Sequence, residues 1–197
     1  MIGPMSNTPP SSPNSPTEPH HLEAQRRTNR DAAARLGFAP YGLRENGLLP
    51  LADAKSKHSE SADAAVNAAG KEKPAGFVDP RAHVRVAGRI VLLRTGGKLL
   101  WMNIRDASGD IQLAVSARDV PEKAFALAGV LDLGDIVVAS GRVMKTKTGE
   151  VTVWADDLAP GAKSLVPPPA KHDGLHDVEI RYRQRYVDLW ANPETMD

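Results

Sequence analysis

The sequence predicts a mainly β protein: a five-stranded barrel with a short helix between the third and fourth strands, preceded by a helical segment and a Pro/Ser-rich tail. Three observations lead there. Apolar and polar residues alternate over short runs between His83 and Leu158, the period expected of half-buried strands. Gly96-Gly97, Ser108-Gly109 and Thr148-Gly149 stand between runs where tight turns are needed. One central segment, Pro121 to Leu131, changes to helical spacing.

From the N-terminus, residues 1–20 hold Pro9, Pro10, Ser11, Ser12, Pro13, Ser15 and Pro16 and little apolar surface, so burial does not offset the entropy of ordering and a disordered tail is expected. His21 to Leu36 is rich in helix formers and basic, with Gly37 where a helix would stop. Residues 21–50 are therefore read as a helical extension. Ala52 to Gly76 is polar and alanine-rich with weak periodicity, and residues 51–80 fit either a helix or a linker.

The strands begin at His83. Val84, Val86, Gly88, Ile90 and Leu92 alternate with Arg85, Ala87, Arg89, Val91 and Leu93. In Leu99 to Asp106, Leu100, Met102 and Ile104 alternate with Trp101, Asn103 and Arg105. In Asp110 to Ser116, Ile111, Leu113 and Val115 alternate with Gln112 and Ala114. Pro121 and Glu122 suit a helix start, and Phe125, Ala128 and Leu131 share a helical face. Ile136 to Lys145 and Glu150 to Leu158 are two further β-rich runs. Three strands, a helix and two strands is the order of the OB-fold, a barrel that serves oligonucleotides and oligosaccharides. Residues 81–160 are assigned to it, and the stretch from residue 161 begins as a linker.

Composition narrows the function. The 197 residues contain no cysteine, which excludes disulfides and thiolate metal sites and sits with a reducing cytoplasm, the expected location. No apolar run approaches a membrane span, and no secretory signal pattern opens the chain. A formal net charge of +1 gives no general attraction to nucleic acid, so any such ligand has to be recognised locally.

With the aliphatic residues inside, a period of two turns Arg89, Trp101 and Gln112 outward on neighbouring strands. An exposed indole stacks on an unstacked base, and Arg and Gln bond base edges or phosphate. Arg85, Lys98, Arg105, Arg142, Lys145 and Lys147 are candidate phosphate contacts around them. A second reading of Trp101 stands beside this one: it covers the barrel by packing on the N-terminal helix, or fills a core under a shifted register. Trp154 also alternates outward, which suggests packing by a neighbouring domain. No phosphate-cradling glycine loop and no catalytic constellation occurs. His172 and His176 have the spacing of two metal ligands, but Asp173-Gly174 reads as a turn and neither supplies a third ligand, so no metal site is expected.

VAGRI at Val86 to Ile90, GDIQL at Gly109 to Leu113, DLGDI at Asp132 to Ile136, KTKTGE at Lys145 to Glu150 and RYRQRYVDL at Arg181 to Leu189 resemble the class II lysyl-tRNA synthetases. RLGFAPYG, Arg35 to Gly42, is similar to that family's N-terminal helix exit. RYRQRYVDL resembles the segment that leads the family's anticodon-binding domain into its catalytic domain, so residues 161–197 correspond to a linker and the start of that domain. The resemblance implies a tRNA(Lys) anticodon stem-loop as ligand, with Arg89, Trp101 and Gln112 at the positions that recognise its central uridine and Glu150 nearby. It implies ATP and Mg2+ for the full-length enzyme, with no cofactor in this chain, and a homodimer in the full-length family, with a monomer or weak dimer for this part. Trp101 departs from the usual phenylalanine, and His172-Asp173-Gly174 departs from an aromatic residue followed by His-Gly. The family's three catalytic motifs do not occur before Asp197, so the chain is expected to be a fragment, inactive by itself. A free-standing OB-fold protein for single-stranded nucleic acid is the alternative, and a protein-interaction domain the third reading.

Overall fold

The computed structural model describes residues 21–42, 44–70, 74–167, 178–183 and 185–192. The expected disorder of residues 1–20 and the pair His172 and His176 lie outside these. Five strands, β1 (His83–Gly96), β2 (Leu99–Asp106), β3 (Gly109–Ser116), β4 (Ile136–Lys145) and β5 (Val151–Ala162), close into a barrel in the order β1-β2-β3-β5-β4. All neighbours are antiparallel except β3 and β5. Closure removes the sheet edges that would otherwise invite further pairing.

Alternation builds the interior. Val84, Val86, Ile90, Met102, Ile104, Ile111, Leu113, Val115, Val137, Val153 and Leu158 are all buried in one core. The expected alternation is interrupted where the register shifts, first in β1. A bulge between Ile90 and Leu92 inserts Val91, so Leu92 lies opposite Asn103 and Leu93 opposite Met102. Leu93, expected to point outward, packs on the core, and Leu92 takes the outer side. A second irregularity lies between Ser140 and Gly141, where a Cβ on Gly141 would stand 2.8 Å from Ala155 Cα and closer still to the Trp154 carbonyl. Only glycine tolerates that approach.

Six helices accompany the barrel among the described residues. In chain order they are α1 (His21–Arg35), α2 (Leu51–Ser56), α3 (Glu60–Ala68), α4 (Glu122–Ala128), α5 (Val178–Arg183) and α6 (Arg185–Ala191). α4 lies between β3 and β4 in sequence, packs on β3 and β5, and buries Ala124, Leu127 and Ala128. The Ala-rich segment holds the two short helices α2 and α3. α2 sits at the β2-β3 turn, where Leu51 N–H donates to Asp106 Oδ2 at 2.9 Å and Ala52 N–H to Ser108 Oγ at 3.0 Å, with the Leu51 side chain fully buried. Burial opposes ionisation of Asp106, but the Ser108 hydroxyl and the N–H groups of Leu51, Ser108 and Gly109 outweigh it and hold the carboxyl below its ordinary value. The Ser59 hydroxyl caps α3, accepting from Ala62 N–H.

α1 is tied to the barrel through polar bonds more than through apolar area. Arg26 donates to the Ser164 carbonyl at 3.0 Å, and Asn29 to the Asp132 carboxylate. Behind them Lys163 is buried between Asp132 and Asp135, 2.6 Å from Asp135 Oδ2 and 3.0 Å from the Val130 carbonyl. Burial pushes the Asp135 carboxyl above its ordinary value, while Lys163 and the N–H groups of Asp132 and Ser164 oppose that shift. α5 and α6 are joined by Asp188, which accepts from Arg181 Nε and Arg185 at 2.8 Å each.

Candidate nucleic-acid interface

The outer face of β1, β2, β3 and β5 carries three rungs of side chains. Arg94, Trp101, Ala114 and Trp154 form one, with Arg142 of β4 next to Trp154. Leu92, Asn103, Gln112 and Thr152 form the next. Arg89, Arg105 and Asp110 form the third.

Trp101 points outward and is half-buried, so it is neither a core residue nor fully free. Its partner is Trp154. The ring centroids are 6.0 Å apart with planes at 86°, an edge-to-face contact. Ala114 lies between the two on the sheet and is fully buried despite its outward parity, because a side chain that small is covered by the flanking indoles. Trp154 Nε1 donates to Asp119 Oδ2 at 2.8 Å. Its outward parity suggests packing on a neighbouring domain. Within this chain it packs on Trp101.

Gln112 is a diagonal neighbour of Trp101, one rung away, and its Oε1 accepts from the Thr152 hydroxyl at 2.9 Å. Its amide nitrogen has no partner among the described residues. Beside it Asn103 Oδ1 is buried without a hydrogen bond, a demand that native interiors rarely leave unmet. Sequence reasoning misses Asn103, since it is one polar residue in an alternating run.

Arg89 stands two rungs from Trp101, roughly 13 Å along the strand at ~3.3 Å per residue. It donates to the Gly134 carbonyl at 2.8 Å, and burial lowers its guanidinium below the ordinary value, with Asp135 acting the other way. It lines a separate cleft of about 390 Å³ with Ala87, Val91, Arg105 and Ile136. The arginine opposite Trp101 is Arg94. Parity could not find it, because the bulge at Val91 moves every later residue of β1 to the other face.

The candidate phosphate contacts divide. Arg85 is bonded to Glu45 at 2.5 Å, Arg105 to Asp110 at 2.6 and 2.8 Å, and Lys145 to Glu60 at 3.1 Å, while Arg142 donates to the Arg81 carbonyl at 2.8 Å. Lys98 and Lys147 are exposed, and their side chains have no partner among the described residues, as is also true of Arg94 and Arg118. Glu150 is exposed at the β4-β5 hairpin, 4.0 Å from Lys55 Nζ. No group of three or more potential metal ligands occurs among the described residues, and none of their helices is long and apolar enough to cross a membrane.

Residues 84–160, nearly the whole barrel, match the model of the tRNA anti-codon family, described as an OB-fold nucleic acid binding domain. The barrel is similar to that family over this span. The chain is also 48% identical over 114 residues to a lysine-tRNA ligase of Pelotomaculum thermopropionicum, covering 58% of this chain and 22% of that protein. Over 155 residues it is 41% identical to a lysine-tRNA ligase of Burkholderia cenocepacia, covering 79% of this chain and 30% of that protein. The chain thus spans less than a third of these relatives' length. The paired indoles lie on the outer face of the barrel that the family model matches.

Proposed function

We propose that the chain binds the anticodon loop of a tRNA(Lys), reading a central uridine, as the tRNA-binding part of a lysine-tRNA ligase. The observation that carries this is the outward Trp101, set on the barrel face with Arg94 across the rung and Gln112 on the diagonal. A splayed base stacks on the indole, the unpaired amide nitrogen of Gln112 offers a donor to its edge, and Arg94 meets the backbone. Glu150, at the hairpin beyond Thr152, borders the same face. Arg89 contributes indirectly, by holding the loop at Gly134.

Attachment of lysine to tRNA belongs in this reading to the longer protein that the relatives represent, as do ATP and Mg2+. The chain alone is proposed to be inactive, cytoplasmic, and a monomer or weak dimer. The test is fluorescence anisotropy with anticodon stem-loops that differ only in the central base. Tighter binding of the uridine form is expected. Equal binding of all four overturns the anticodon reading, and if poly-pyrimidine strands then compete as well as the stem-loop, a general single-strand binder takes its place.

A further inference from the structure

Beside Trp154 the barrel has a cleft of about 200 Å³ lined by Gly96, Lys98, Leu99, Ser116, Arg118 and Trp154. We propose that this cleft is a phosphodiester subsite, in which Lys98 and Arg118 hold the backbone phosphate adjoining the base stacked on Trp101. The subsite rests on the single-strand reading of the Trp101 face and adds a ligand for residues which that reading leaves idle.

Two cations from different elements meet here. Lys98 comes from the β1-β2 hairpin and Arg118 from the turn between β3 and α4. Neither side chain has a partner among the described residues, whereas Arg85, Arg105, Arg142 and Lys145 are all engaged. The nearest carboxylate in sequence, Asp119, is turned to the Trp154 indole instead of to Arg118. Two unneutralised like charges at one cleft repel each other, a cost that a bound anion reverses.

The walls are built. Ala117 N–H donates to the Lys98 carbonyl at 3.0 Å, which ties the two segments together, and Arg118 N–H donates to Ser116 Oγ at 3.2 Å. Leu99 and Ser116 face each other as a rung of the sheet. Trp154 is fixed on one side by Asp119 and on the other by Trp101, so it forms both a wall of the cleft and the link to the stacking platform. The volume lies below the ~300–1,000 Å³ of sites that engulf a whole small molecule, and suits a sugar-phosphate unit better than a further stacked base. A basic groove that tracks the backbone beside aromatic stacking positions is the general device for holding a single strand.

The experiment uses the full chain and the uridine-centred stem-loop, with affinity measured over a range of salt for the wild type, K98Q, R118Q and K98Q/R118Q. Loss of one phosphate contact should make the slope of log K against log salt shallower by roughly 0.7, the single-strand value per phosphate. A neutral methylphosphonate placed in turn at each loop phosphate should weaken wild-type binding at one linkage beside the central base, and the double variant should be indifferent to it there. K57Q, at the end of α2 and the other end of the barrel, should leave the slope unchanged. Equal slopes for wild type and double variant, or the same shift from K57Q, overturn the subsite while the central-base preference still stands. Loss of that preference with the slope and methylphosphonate effects intact overturns the anticodon reading alone.

Discussion

Replacing Trp101 with alanine separates the proposed binding role of this indole from its packing role, because the two differ in size. The ring is half-buried and meets Trp154 edge to face at 6.0 Å. An aromatic pair is worth about 0.5–1.5 kcal/mol beyond area, and the half-buried ring adds up to about 2 kcal/mol of area, so Trp101→Ala should cost the fold about 1–3 kcal/mol. A fully buried aromatic would cost about 3–5 kcal/mol. Stacking of one base is worth about 1–3 kcal/mol, which corresponds to roughly a 5- to 150-fold weaker Kd. Anisotropy at one fixed salt concentration gives the binding term, and urea unfolding followed by circular dichroism gives the other. Trp101→Phe keeps a flat ring and should retain most of both. A stability loss above about 3 kcal/mol with unchanged affinity for the folded fraction would refute the reasoning and return Trp101 to the core.

The two arginines should part company. Arg94→Gln is expected to weaken stem-loop binding with little change in stability, and Arg89→Gln to destabilise the chain, because Arg89 is bonded to Gly134 and half-buried; the reverse outcome in paired binding and unfolding measurements would mean that the bulge does not set the site. Lys163→Met should cost about 3–5 kcal/mol in chemical unfolding, since it leaves Asp132 and Asp135 without their cation, and a change under about 1 kcal/mol would show that the cluster does not hold α1 to the barrel. Acid should act through Asp79. Bonds from the Arg81 guanidinium, stronger than the opposing effect of burial, hold its carboxyl well below the ordinary range. Its folded value therefore lies below the unfolded one of ~3.9, so its contribution is complete above about pH 4 and falls away as the pH drops further. Urea unfolding between pH 2 and pH 5 should show a shallower acid loss in Asp79→Asn than in the wild type, and parallel curves would exclude it.

Much of the barrel could be read from the chain because its strands face a closed core on one side, which forces aliphatic residues to every second position and makes slips costly. Ile104, Leu113 and Val153 declare their face that way, and Gly109 and Gly149 declare their turns through positive φ. The Ala-rich segment was not legible, since α2 and α3 are held by tertiary bonds to Asp106, Ser108 and Lys145 and little in their own periodicity announces them. The site was half legible. Trp101 and Gln112 could be placed on the outer face by counting, but counting does not show rung spacing. It therefore groups Arg89 with Trp101 when two rungs part them, and sets Trp154 apart when the parallel pairing of β3 with β5 brings it into contact.

The bulge at Val91 has the widest effect of these. One inserted residue moves Leu93 into the core and Arg94 to the rung of Trp101, while Arg89, before the bulge, stays with the Gly134 loop. On the proposed reading the same residue divides the two arginines between structure and ligand. A bulge changes no residue type and leaves an apolar run, Ile90-Val91-Leu92-Leu93, that reads equally well in either parity. Where both parities are apolar the chain carries no signal for which one is bulged, and the decision passes to the pairing with β2. Leu93 has to meet Met102 for the core to fill, and Arg94 opposite Trp101 is the consequence. Arg94, the cation of the proposed site, is therefore positioned by a packing requirement on the other face of the sheet. A deletion of Val91 should on this account remove the bulge and keep the pairing, with Leu93 still opposite Met102 and Arg94 still opposite Trp101, so stem-loop affinity measured by anisotropy should survive it, and its loss would show that the bulge matters for more than register.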